Sequence, residues 1–168
     1  MSKRIATSSF MTEVHEAVGV AIGMERVGIR FSPNIYSQGV EDSDPIALFT
    51  AVAHRVQKLG VPWIELREAH RPTSAGAIPT APVSPAMRSL YSGKILLNSD
   101  YDGPSARERM AEGIADGISF GRPFISNPDL VHRIAIGAPL SPGDVRTFYS
   151  GGAAGYVDYP ALDQVEAA

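Results

Sequence analysis

The sequence predicts an α/β protein built on a parallel sheet. Short apolar strands, each followed by a polar stop and a helical pattern, recur four times along the chain. The strands read as near-continuous apolar runs, the pattern of a sheet covered by helices. Polar residues gather just past the strand ends, at Arg30, Glu68, Asn98, Ser99 and Arg122. Right-handed crossovers leave a doubly wound sheet or part of a (βα)8 barrel, and both architectures put their sites at those ends. The barrel is favoured because phosphate-type residues follow the third and fourth strands. In a complete barrel those would be strands seven and eight, where phosphate sites recur.

The elements follow in order. Residues 10–22 predict a helix, with Phe10, Val14, Ala17, Val18 and Ala21 on one face; residues 1–9 carry no such pattern and are expected to fray. The run 26–33 reads as a first strand, stopped by Ser32-Pro33. After a polar loop, residues 45–58 predict a helix closed by Gly60, and 63–66 a second strand. A long Pro-, Thr- and Ala-rich segment spans 67–85, with helical signal returning near 87–91. The third strand, 94–97, meets the stop Asn98-Ser99-Asp100, and a helix follows over about 104–112. The fourth strand is 117–120, followed by a helix over 128–136.

Composition narrows the function classes. The chain has 168 residues, 44% of them hydrophobic and 20% charged, with a net charge of −3. That suits one globular domain or a piece of a larger one. The absence of a basic block argues against nucleic acid. Without cysteine there is no disulfide framework and no thiolate nucleophile or metal ligand. No apolar stretch is long enough for a membrane helix, and Met1-Ser2-Lys3-Arg4 opens no signal core, so a cytoplasmic location is expected.

The run Phe120 to Leu130 carries the most chemistry. An apolar strand ends at Gly121, which lets backbone approach a ligand closely. Arg122 follows, the side chain best suited to fork onto phosphate. Asn127-Pro128 then reads as an N-cap and the proline of a first helical turn. Strand, glycine, arginine and helix start together describe an anion site. The plainer alternative is that Arg122 pairs with a nearby carboxylate.

Four motifs in order resemble the Old Yellow Enzyme family, FMN-dependent NAD(P)H ene-reductases, and in particular its N-ethylmaleimide and nitrate-ester reductase branch. They are Gly28-Ile29-Arg30-Phe31-Ser32-Pro33, Asn98-Ser99-Asp100-Tyr101, Phe120 to Leu130, and Phe148-Tyr149 with Gly155-Tyr156-Val157-Asp158-Tyr159-Pro160. The resemblance implies the C-terminal four βα units of a (βα)8 TIM barrel, with residues 10–147 forming a partial FMN-binding barrel and 148–168 a tail over the active-site face. It implies hydride transfer from NAD(P)H through FMN to a small-molecule substrate, an electron-poor alkene or a nitro compound. Arg30 would meet the pyrimidine side of the flavin, where negative charge develops; the competing reading is a core-edge arginine paired to Glu65 or Glu68. Asn98, Ser99 and Asp100 would form one half of a phosphate cradle, with the Asp100 carboxylate turned away. Gly121 and Arg122 would form the other half. Tyr149 would line the substrate side, or else pack the tail.

The same resemblance implies what these residues lack. The His-His or His-Asn pair that polarises substrate and the proton-donating tyrosine have no match, so a complementing N-terminal half-barrel or self-association is expected. The alternative is a non-catalytic FMN- or phosphate-binding half-barrel, or a truncated, inactive product. His15, His54, His70 and His132 form no i, i+4 pair and read as surface or helix-face residues rather than metal ligands. Gly117-Ile118-Ser119-Phe120-Gly121 fits the nucleophile-elbow pattern, but His132 and Asp129 share the helix that leaves it, with no separate strand to return them. The run Gly151 to Gly155 lacks the strand and helix of a dinucleotide fingerprint.

Overall fold

The computed structural model describes residues 3–35, 42–69, 81–149 and 152–166. The chain divides into two compact units, Met1–Ser119 and Phe120–Ala168.

The first unit holds a four-stranded parallel sheet in the order β1 (Ile29–Phe31), β2 (Trp63–Arg67), β3 (Lys94–Asn98), β4 (Gly117–Ser119). Helices α1 (Lys3–Ile22), α2 (Pro45–Leu59), α3 (Ser84–Leu90) and α4 (Gly103–Ala111) belong to the same unit. Four consecutive strands in sequential order, each parallel to the last, is the half-barrel arrangement the sequence predicts. Helix α2 shows why the local signals were readable. The Asp44 carboxylate accepts from Ala47 N at 3.1 Å, Pro45 occupies the first turn, and Gly60 ends the helix at φ 69°. Helix α4 opens on a capping box between Asp102 and Ser105.

The strands are not uniformly apolar, which corrects the sequence reading. Ile64, Leu66, Ile95 and Leu97 are fully buried, while the residues between them are half-buried or exposed. Side chains alternate across a strand, so the sheet has one apolar face and one polar face. Each of those four side chains contributes about 1.5–3 kcal/mol by leaving water. The polar face falls into register layers: Trp63 beside Lys94; then Arg30, Glu65, Leu96 and Gly117; then Arg67, Asn98 and Ser119 at the carboxyl edge. The Trp63 indole lies against Gly28, just before β1, where a Cβ would sit 2.1 Å from the ring.

Other expectations shift in place. Helix α1 begins at Lys3, before the expected residue 10. Its expected apolar face is the exposed one, with Phe10, Val14 and Val18 in solvent and His15 and Gly19 buried. Helix α3 starts at Ser84, ahead of the expected 87, because Pro85 suits a first turn. Residues 70–80, which include His70, lie outside the described residues. The ends of that segment are tied. The Glu68 carboxylate accepts from Val83 N at 2.6 Å, Ser84 N at 2.9 Å and the Ser84 hydroxyl at 2.5 Å. Asn34 bonds reciprocally with the backbone of Ala69, at 2.8 and 3.3 Å.

The second unit contains α5 (Arg122–Ser126), α6 (Leu130–Ile136) and α7 (Leu162–Glu166). The sequence placed one helix from Pro128; instead α5 starts at Arg122 with Pro123 in its first turn, and α6 starts later. Asn127 is no N-cap. It is buried, its amide donating to Pro123 O at 2.9 Å while its Oδ1 accepts from Ser141 N at 2.7 Å. Arg133, also buried, donates to Asp129 Oδ1 at 2.7 Å, Pro139 O at 2.9 Å and Pro160 O at 3.4 Å. Leu162 N completes the tie by donating to Asp129 Oδ2 at 2.8 Å.

Candidate functional site

The polar face of the sheet carries a closed hydrogen-bond ring with one member from each strand. Arg30 Nη1 donates to Glu65 Oε2 and Arg30 Nη2 to Asn98 Oδ1, both at 3.1 Å. Asn98 Nδ2 donates to the backbone oxygen and the hydroxyl of Ser119, both at 2.9 Å. The Ser119 hydroxyl closes the ring by donating to Glu65 Oε1 at 2.5 Å. Arg30 is attached at the level of Glu65, yet its guanidinium reaches Asn98 in the next layer. That lean carries the charge toward the carboxyl edge, where α/β sites form. The guanidinium side chain remains 49% exposed, and two of its five N–H donors are engaged in these bonds.

Beyond Asn98 the chain turns through two successive residues of positive φ, Ser99 at 127° and Asp100 at 51°. Neither is glycine, and such conformations cost of order 1–3 kcal/mol each. Turns of this kind aim backbone N–H groups into anion-binding concavities. The donors of this edge, a forked cation and a strained turn, suit a phosphate ester joined to a hydrogen-bonding ring. The Glu65 carboxylate beside them is already engaged as acceptor by Arg30 and Ser119.

The structure thus joins Arg30 to Asn98 directly and sets Ser99 and Asp100 next in line. Of the two pairings foreseen for Arg30, the one with Glu65 is present, while Glu68 caps α3. In the second unit, Gly121 precedes α5 with no atom within 4 Å of where a Cβ would stand, and Arg122 is exposed in the first turn. Tyr149 is 85% exposed and makes an edge contact with Phe148 at 6.1 Å.

Sequence reasoning took Ser119 only as a failed nucleophile and missed its place in the ring; period-two spacing from Gly117 was the available signal. It also missed Arg67, a second cation on the same face, in register with Asn98. Buried His15 was expected at a surface or helix face; burial pushes its pKa down, and its Nε2 has no hydrogen-bond partner among the described residues. His54 and His132 are exposed. Among the described residues no group of three or more metal-ligating side chains occurs, and no helix is long and apolar enough to cross a membrane.

Comparison with known proteins gives this arrangement a context. The chain is 32% identical over 166 residues to 12-oxophytodienoate reductase 1 of Oryza sativa subsp. japonica, covering 94% of this chain and 42% of that protein. It is 36% identical over 154 residues to the "Probable flavin mononucleotide-dependent alkene reductase" of Leishmania infantum, covering 91% and 40%. Among solved structures, the old yellow enzyme homologue from Zymomonas mobilis superposes with a TM-score of 0.85 at 38% identity, covering 90% of this chain and 43% of that one. The chain therefore spans about two fifths of the length of these relatives. Residues 3–141 match the NADH:flavin oxidoreductase / NADH oxidase family, and the chain belongs to that family.

Proposed function

We propose that this chain supplies one side of an FMN site in an Old Yellow Enzyme-type ene-reductase. The observation that carries the reading is the Arg30 guanidinium, braced at the carboxyl edge beside the strained Ser99–Asp100 turn. Arg30 meets the pyrimidine side of the flavin with the donors its ring leaves over. The backbone of Asn98, Ser99 and Asp100 holds the phosphate, a role that the family resemblance extends to Gly121 and Arg122. FMN held by these residues would supply the redox chemistry for hydride transfer from NAD(P)H to an electron-poor alkene or a nitro compound. By the family resemblance, Tyr149 shapes the substrate pocket.

None of the chain's described histidines stands on the polar face of the sheet, and the substrate-polarising pair and proton-donating tyrosine have no match here. Positioned acid catalysis is worth about 10²–10⁴-fold. Turnover at the family's rate therefore requires those groups from outside these residues, a role open to the rest of a longer chain, a complementing half-barrel or a second copy. The second reading, FMN binding without turnover, rests on the same observation and differs only in that requirement.

The test is a fluorescence titration with FMN and riboflavin. FMN binds more tightly than riboflavin to the native chain, and Arg122→Ala narrows the gap, since a charge-assisted hydrogen bond contributes about 1.5–3 kcal/mol. Equal affinity for the two flavins would defeat the phosphate cradle. Alkene-dependent NADPH oxidation without oxygen, by this chain alone and mixed with an N-terminal half from a relative, separates the two readings.

A further inference from the structure

The ring on the polar face has a property that none of its members has alone: its direction is dictated. A guanidinium only donates and a backbone carbonyl only accepts. Asn98 must therefore turn Oδ1 to Arg30 and Nδ2 to Ser119, as observed. The Ser119 hydroxyl receives from Asn98 and has one proton to give, which goes to Glu65. Glu65 then accepts from both Ser119 and Arg30 through separate oxygens. The Glu65 side chain is 15% exposed against 49% for Arg30. The carboxylate is the anchored partner and the guanidinium the presented one.

A free arginine carries about 2 kcal/mol of rotamer entropy, and a ligand contact would otherwise have to offset it. We infer that Glu65, held from behind by Ser119, is the positioning residue that fixes the plane and aim of the Arg30 guanidinium toward the carboxyl edge. The inference deepens the flavin reading, on which its ligand part rests. Glu65 does not touch the ligand. It acts through Arg30 in two ways, by restricting the guanidinium and by balancing its charge. With its cation half exposed the pair contributes modestly to the fold, while the orientation it imposes decides what Arg30 can meet.

Two measurements test the inference. The first needs no ligand. In the native chain the Arg30 Nη protons give separate NMR signals, because two different acceptors hold Nη1 and Nη2. In Glu65→Ala those signals merge as rotation is freed. Ser119→Ala broadens them, and Glu65→Gln, which keeps an acceptor, leaves them partly resolved and serves if Glu65→Ala does not fold. The second is FMN affinity in a double-mutant cycle. Glu65→Ala weakens FMN about tenfold, equivalent to about 1.4 kcal/mol, and has no effect in an Arg30→Met background. Signals that stay sharp in both Glu65 variants, or an equal Glu65→Ala loss with Arg30 absent, would overturn the positioning role. Failure of the native chain to bind FMN would overturn the flavin reading, leaving the brace to be decided by the signals alone.

Discussion

The two faces of the four-stranded sheet differ in kind. One carries Ile64, Leu66, Ile95 and Leu97, all fully buried. The other carries Arg30, Glu65, Asn98 and Ser119 joined in a ring. Neighbours in sequence, such as Leu97 and Asn98, sit on opposite faces and answer to different demands. Strand parity separates holding the fold from presenting chemistry, so the two can be altered independently.

The largest expected effect comes from breaking the apolar face. Leu97→Ala leaves a cavity against the helices and costs about 2–5 kcal/mol of stability, read as a shifted urea midpoint. Asn98→Ala, one residue on, costs about 1 kcal/mol but loosens both Arg30 and Ser119 and weakens FMN binding. Equal stability losses would erase the distinction between the faces.

A smaller effect of opposite sign is expected at the turn that follows. Ser99→Gly and Asp100→Gly relieve positive φ, and each stabilises the chain by about 1 kcal/mol once glycine's greater unfolded-state freedom is set against it. Destabilisation by both would show that their side chains hold more than their backbone strain.

The smallest effects are pH-dependent and belong to carboxylates outside the ring. Burial raises the Glu68 pKa above 4.5, although bonds from Ser84 and Val83 oppose the shift. Its stabilising contribution is present below that value and is lost as pH rises through the raised folded value. Glu68→Gln therefore gains on the native chain as pH increases, seen as a growing difference in Tm. Asp116 has the opposite sign: a hydrogen bond from Lys94, with help from Ile95 N, lowers its pKa below 3.8. Its contribution is present above that value and fades as pH falls, so the Tm gap between native and Asp116→Asn closes in acid.

Much of this was legible in the sequence, and the failures share a cause. Pro45 and Gly60 bounded α2 correctly because helix ends are local chemistry, and the structure adds Asp44 as its N-cap. The order of strands followed from repeated strand-helix units. What escaped was information about facing. Glu65 interrupts the predicted strand 63–66, which reads as a near-continuous apolar run, and Arg67 lies past its expected end though β2 includes it. Phe10, Val14 and Val18 share a helical stripe, but His15 and Gly19 pack inward. Asn127-Pro128 has the composition of a helix start, whereas long-range bonds to Ser141 claim Asn127 and Pro123 serves the start of α5. Motif singles out Arg30 and Asn98, while Glu65 and Ser119 become visible only when register brings four strands together.

The tie made by Glu68 and Asn34 bears on how the chain can vary. Val83, Ser84 and Ala69 are fastened to the scaffold, so the span between them begins and ends at set points whatever its length. Closing a longer span adds only about 0.6 kcal/mol per doubling. Added length in that span therefore adds little closure cost, provided the two fastenings stay. Closure cost alone thus leaves the length of the span open to natural drift or to directed libraries.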